Sequence, residues 1–362
     1  MIYAAEMSVH RLSRADARRL AVRAQLLDAE RPTGLIDVVR RLTMVQNDPT
    51  AAVARSADLV LWGRLGSSYS PSALRDALDE QALLELRGIR VPEDIALYRA
   101  EMAEWPGRPP LTDWQEDLRE WVDANGDCRA DVLARLRADG PLSLRELPDT
   151  CVVPWRSSGW TNNRNLSKLI DFMVQRGEVA AAGRRGAERL WDLAERIYPD
   201  EVVPYEQALA TRGRRRLRAL GIARAADSPG APGEPATVDG LKGEWRVDPE
   251  LLGQPFAGRT VLLSPLDRLV YDRKRMTELF EYEYQLEMYK PVANRRWGYW
   301  AMPILHGDRL VGKLDATADR RAGVLRVDAV HEDAPFSRAT ATAVEGEIAA
   351  LAGWLGLKVI RT

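Results

Sequence analysis

The chain has 362 residues, 46% hydrophobic and 29% charged, which is a globular composition, and at roughly 150 residues per domain its length suggests two or three domains. Lys and Arg total 52 against 53 Asp and Glu, which excludes a uniformly basic nucleic-acid coat but leaves room for basic faces backed by acidic ones. No apolar run approaches the roughly 18 residues of a spanning helix, no signal peptide is read at the N-terminus, and Cys128 and Cys151 are too few for a disulfide framework, so a cytoplasmic protein is expected.

In chain order, Ala17, Leu20, Ala21, Ala24 and Leu27 recur at a helical period, with Ser13 as N-cap and Leu12 placed to staple onto Ala17. A second helix is expected over 35–44, with Leu35, Val38, Val39 and Leu42 on one face, and it breaks at Gln46-Asn47-Asp48-Pro49. Ser70-Pro71 opens a third helix over 70–80, and Pro106, Pro109 and Pro110 mark a boundary.

The next segment reads as a short helix over 130–138, a second one opened by the capping-box spacing from Ser143 to Glu146, and a longer helix over 162–176 that buries Leu166, Leu169, Ile170 and Met173. Two strands then flank Gly183-Arg184-Arg185-Gly186. That order is the order of a winged helix-turn-helix, with the helix from Asn162 as recognition helix and two arginines at the wing tip. A basic helical segment starts near Val203 and carries Arg212, Arg214, Arg215, Arg216 and Arg218. The Pro- and Gly-rich stretch from Asp227 to Pro235 is expected to be an exposed loop. Alternation then predicts strands over 260–271, 281–289, 295–316 and 324–330, with His306-Gly307-Asp308 as a hairpin turn, suggesting a small barrel or sandwich. A last helix is expected over 337–355.

The chemistry open to this chain is narrow. His10, His306 and His331 lie far apart, so no metal is expected, and no P-loop, dinucleotide fingerprint or nucleophile elbow is present to bind a cofactor or activate a serine. Carboxylates and amides remain. Pro49 pushes Asp48 out of the helical region, and on an extended chain Gln46 and Asp48 project to one side, whereas on a helix they diverge by about 200°. An amide beside a carboxylate can hold and partly deprotonate a water. Spacing alone favours a plainer alternative, in which Asp48 caps a helix starting near Pro49 and Gln46 is simply solvated.

Arg164, Lys168, Arg184 and Arg185 fit phosphate contacts from a helix and a wing, against the alternative of an ordinary solvated face. Arg295 and Arg296 are expected on a strand whose alternation puts Arg295, Trp297 and Tyr299 on one side; a half-buried strand fits them equally well. Trp155 and Trp160, ahead of the recognition helix, are placed either in the core or against DNA.

Three regions carry a resemblance: TMVQNDPTAAVARSADLVLWGRLG (43–66), WTNNRNLSKLIDFMVQRGEV (160–179), and LLSPLDRLVYDRKRMTELFEYEYQLEMY with RRWGYWAMPILHGDRLVGKLDATADRRAG (262–289 and 295–323). They resemble the AlkZ/YcaQ-type winged-helix DNA glycosylases, a bacterial family that excises alkylated bases and unhooks DNA interstrand crosslinks. The resemblance covers most of the chain and implies an α+β fold of tandem winged helix-turn-helix units followed by a small β-barrel. The units would span 8–110 with the QxD motif, 111–199, and 200–257, with the barrel over 258–332 and a C-terminal helix and strand over 333–362. The family motif is QxQ or QxD, so the resemblance implies catalytic roles for Gln46 and Asp48. It also implies a monofunctional enzyme with no cofactor, hydrolysing the N-glycosidic bond of N7-alkylated purines in double-stranded DNA as a monomer associated with the nucleoid. An N7-alkylated base carries positive charge and leaves readily, so one carboxylate suffices without a histidine acid. No lysine lies within 43–56, which favours water as the nucleophile over a Schiff base. The competing readings are a non-catalytic winged-helix regulator and a protein–protein module.

Overall fold

In the computed structural model, which describes residues 9–157, 159, 161–186, 188–227 and 230–362, the first helix runs Arg14–Ala24. Ser13 caps it, its hydroxyl accepting from Asp16 N, which satisfies one amide the first turn cannot pair internally. Leu12 ends the strand His10–Leu12, paired in parallel with Glu234–Val238, and packs against the same core as Ala17. The helix expected over 35–44 is Leu35–Leu42, and the third is Pro71–Asp79. The chain divides into two units, one comprising residues up to Leu74 with Gly213–Thr362, the other Arg75–Arg212.

The first unit is α+β and holds two sheets. One has the order His10–Leu12, Glu234–Val238, Trp245–Val247, Ile222–Arg224. The other is five-stranded, in the order Thr260–Leu262, Met302–His306, Arg309–Asp319, Val324–Glu332, Lys358–Arg361. The expected barrel is not closed. The final strand arrives from the helix Arg338–Leu355 and pairs in parallel with Val324–Glu332, so Thr260–Leu262 is left at the opposite edge. Register shifts at Ile304/Leu305 and Asp315/Ala316 add local twist, which curls the open sheet. The hairpin turn at Gly307-Asp308 is as expected.

Other parts of the β reading need correction. Within 260–271 only Thr260–Leu262 is strand. Asp267 then caps the helix Arg268–Tyr271, and Asp272 caps Arg273–Phe280. Residues 281–289 form no strand. Neither do 295–300, where Gly298 has φ +112°, so Arg295, Trp297 and Tyr299 do not share a strand face. Trp297 is buried and Tyr299 is exposed. The 227–235 loop is shorter than expected, because Glu234 and Pro235 already pair with Val247 and Arg246; Ser228 and Pro229 lie outside the described residues.

A helix over Ser56–Leu65 had no signal in the sequence reading. All ten of its residues are buried, so it has no polar face to give an amphipathic period.

The second unit holds the helices Pro92–Ala103, Asp113–Ala124, Gly126–Asp139 and Asn165–Gln175. Its three-stranded sheet has the order Leu142–Ser143, Glu188–Leu193, Val179–Arg185. The core joins Val122, Val132, Leu136, Leu169, Ile170 and Met173. The short helix expected after Ser143 is only a 3-10 turn, Leu144–Glu146, although its capping box is formed. The basic helix expected from near Val203 is Tyr205–Leu220.

Candidate active site

The segment carrying Gln46 and Asp48 is an irregular connection fixed at both ends. Upstream, Thr43 stops the helix Leu35–Leu42 by turning left-handed at φ 63°, and the Arg268 guanidinium donates to Leu42 O and Thr43 Oγ1, each at 2.8 Å. Downstream, Ala52 O accepts from Ala318 N at 2.9 Å, which ties the connection to the curled sheet. The helix Ser56–Leu65 follows. Its first hydroxyl lies 2.8 Å from Ser264 Oγ, and near its end Arg64 forms a wholly buried pair with Asp267.

Asp48 does not cap a helix at Pro49. The next helix begins only at Ser56, and Asp48 Oδ1 accepts from Thr50 N at 2.8 Å, closing an Asx turn over the proline. Asp48 and Gln46 are both half-buried. The other carboxylate oxygen of Asp48 has no hydrogen-bond partner among the described residues, nor does the Gln46 amide. The chain therefore holds one carboxylate by one oxygen and leaves the second available to a water or a sugar.

The basic candidates fall into two groups that do not share a unit. Arg164 is exposed at the N-terminal end of Asn165–Gln175. Lys168, one turn on, is largely covered: its ammonium lies over Trp155 and Phe172, at 5.3 and 4.8 Å from the ring centroids, and pairs with Asp171. Trp155 itself packs edge-on against Trp121 and Phe172, so it belongs to the core; Trp160 lies outside the described residues. In the hairpin, Gly183 makes a bulge and not the turn, so Arg184 pairs with Arg189 and Arg185 with Glu188 across the strands. Arg185 is exposed and bridges to Glu146 at 3.0 Å. Ser143 and Arg185 hold the Glu146 carboxyl down to about 2. In the other unit, Arg295 lies over the Tyr299 ring, and Arg296 is exposed and faces Glu283.

The model of the AlkZ-like DNA glycosylase family matches residues 39–354, most of the chain, including the whole connection from Thr43 to Arg55 and the curled sheet up to its last strand. The chain belongs to the AlkZ-like DNA glycosylase family. It is a DNA glycosylase. Its fold is similar to that of the Streptomyces sahachiroi DNA glycosylase AlkZ, with a TM-score of 0.63 at 16% identity over 97% of this chain and 100% of that one. For this glycosylase, the residues that sequence reasoning missed are those that fix the connection: Ser56, Arg64, Ser264, Asp267 and Arg268. Arg64 did leave a signal, as a lone charge in an apolar run, which demands a buried partner.

Among the described residues, Cys128, Asp149 and Cys151 place possible metal-ligating atoms within 4.8 Å of one another. Burial pushes the Cys151 thiol up, away from the thiolate a metal needs, and the cluster is in the unit that lacks Gln46 and Asp48.

Proposed function

We propose that this glycosylase hydrolyses the N-glycosidic bond of N7-alkylated purines in double-stranded DNA, with Asp48 and Gln46 as its catalytic pair. The observation that carries the reading is the half-buried Asp48, held at one oxygen by Thr50 N and without a partner at the other among the described residues, on a connection fixed at both ends. The free oxygen takes a proton from, or orients, the attacking water. Its charge stabilises the oxocarbenium-like sugar as the bond to the base breaks. Gln46 positions the water or the sugar by hydrogen bonding. The alkylated base leaves as a neutral species, so no protein acid is required. Crosslink unhooking is the same reaction on a base tethered to the opposite strand.

In this reading the helices and hairpins serve as tandem winged helix-turn-helix units. Arg164, Lys168, Arg184, Arg185, Arg295 and Arg296 contact phosphates, and the protein acts as a monomer. Lys168 is the weakest of these, since reaching DNA requires it to leave its aromatic seat. The test is incubation with duplexes carrying N7-methylguanine or a nitrogen-mustard crosslink, followed by quantitation of abasic sites. Release above the spontaneous rate is expected. DNA left chemically intact would favour a binding protein without catalysis.

A further inference from the structure

Between Glu287 and Trp300 the chain forms a closed loop whose base is polar and buried and whose tip is apolar and exposed. Glu287, with its side chain 1% exposed, accepts from Arg296 N at 2.7 Å, Trp297 N at 2.8 Å and Lys290 Nζ at 2.9 Å. Arg295 Nε donates to Lys290 O at 3.0 Å, and Val292–Asn294 is a single 3-10 turn. Trp297 anchors the loop by stacking on Tyr284. A carboxylate closed by three donors makes the loop stiff. The tip nonetheless presents Tyr289 at 86% and Val292 at 76% exposure, on either side of Pro291. An ordered tip of this kind gains nothing within the monomer; its apolar surface is available to a partner.

The charge beside the tip that is not ion-paired is a cation, which fits a polyanionic partner. Arg295 flanks the tip with no carboxylate within ion-pair distance among the described residues, whereas the Lys290 ammonium is paired with the buried Glu287 and the exposed Arg296 guanidinium with the exposed Glu283. The loop also reaches the strand Arg309–Asp319, to which the connection carrying Gln46 and Asp48 is tied through Ala52. Gly298 lies so close to Asp315 that an added Cβ would fall 2.0 Å from its carboxylate, and three residues along the same strand Ala318 N bonds Ala52 O. At ~3.3 Å per residue, and less across the bulge at Asp315/Ala316, the loop base and Ala52 meet this strand within about 10 Å of each other.

We infer that Tyr289, Pro291 and Val292 form a wedge that enters a base step of duplex DNA beside the lesion, with Arg295 and Arg296 on the flanking phosphates. Apolar wedges of this kind partly unstack a step and kink the duplex, and a tyrosine ring supplies a face for the displaced base. The distortion opens the sugar next to the target toward Asp48. The inference rests on the reading of this connection as the catalytic site.

The test uses the full chain and an undamaged duplex containing 2-aminopurines, whose fluorescence rises when they unstack. Wild type is expected to raise the signal. Tyr289→Ala with Val292→Ala is expected to abolish the rise and weaken binding by about tenfold. The melting temperature should hold, because both side chains are exposed. Tyr289→Phe should keep the signal. A full rise from the double variant, or wild-type binding without any rise, would overturn the wedge. So would unchanged DNA binding with loss of a dimer in sedimentation, which would assign the tip to a second copy of the chain. Excision of N7-methylguanine, measured separately, distinguishes the two claims. A rise without base release would retain the wedge and remove the catalytic reading, and release without a rise would do the reverse.

Discussion

Arg64 and Asp267, 203 residues apart in sequence, meet with both side chains fully buried, Arg64 Nη2 standing 3.0 Å from Asp267 Oδ1. The rest of the guanidinium is used as well: Nε donates to Gln25 O at 3.0 Å and Nη1 to Val60 O at 3.1 Å. Asp267 Oδ1 also caps its own helix through Leu269 N. The pair joins the helix that follows the candidate catalytic connection to Asp267, next to the Arg268 that bonds Leu42 O and Thr43 Oγ1 at the start of that connection.

Removing one partner strands the other charge in the interior. Arg64→Met is expected to cost about 3–5 kcal/mol of stability, the usual penalty for opening a buried pair. Arg64→Lys should recover little, since a lysine cannot donate in a fork. Chemical denaturation measures both. A loss under about 1 kcal/mol for Arg64→Met would show that the pair does not hold this region.

Legibility of the sequence followed local physics. Ser13 and Ser143 were readable as caps because a capping bond spans only three residues, and each forms. The hairpin at Gly307-Asp308 was readable because a tight turn is local too. Ser56–Leu65 was silent because a helix buried on every side has no period to detect. The segments 263–271, 281–289 and 295–300 misled because alternation of apolar and polar residues looks like a strand wherever the chain is partly buried. Their conformation is set instead by Asp267, Asp272, Glu287 and Gly298. At the candidate site, the QxD triplet was visible, while the Asx turn and the distant anchors of its connection were not.

The wing arginine offers a two-way test. Arg185 contacts Glu146, and Glu146, held near 2, stays charged wherever DNA binding is measured. Arg185→Ala should weaken duplex binding and lower the slope of log affinity against log salt by about 0.9, the contribution of one phosphate contact. Glu146→Gln should shift affinity the other way, since it releases the guanidinium. If both variants keep the wild-type slope and affinity, this hairpin lies outside the DNA interface.

Glu178 gives a pH prediction for the second unit. Burial alone would raise its carboxyl, but two bonds from Arg129 at 2.8 Å and one from Arg176 at 2.7 Å outweigh that and hold it below the ordinary 4.5. A carboxylate lowered on folding adds stability above its unfolded value and loses it as pH falls through the folded one. Glu178→Gln should therefore cost about 1–3 kcal/mol at neutral pH. The difference from wild type should shrink as pH drops below about 4.5. Paired melting curves across pH would show this, and a constant gap would place the effect in packing.

Asp48→Asn isolates the chemistry from the fold. The Asx turn needs only an oxygen to accept from Thr50 N, and an asparagine carbonyl supplies one. No helix starts at Pro49, so no cap is lost. The substitution removes the negative charge and the proton acceptor at the oxygen that has no partner among the described residues. A positioned base contributes about 10²–10⁴-fold, and loss of charge beside the sugar cation adds to that. Single-turnover release of N7-methylguanine should fall by at least 10², with melting temperature and duplex affinity close to wild type. Gln46→Ala should slow release by a smaller factor, since it positions but does not carry charge. Equal rates for wild type and Asp48→Asn would remove Asp48 from the mechanism. A rate loss accompanied by a collapse in melting temperature would instead make it a structural residue of the connection between Thr43 and Ser56.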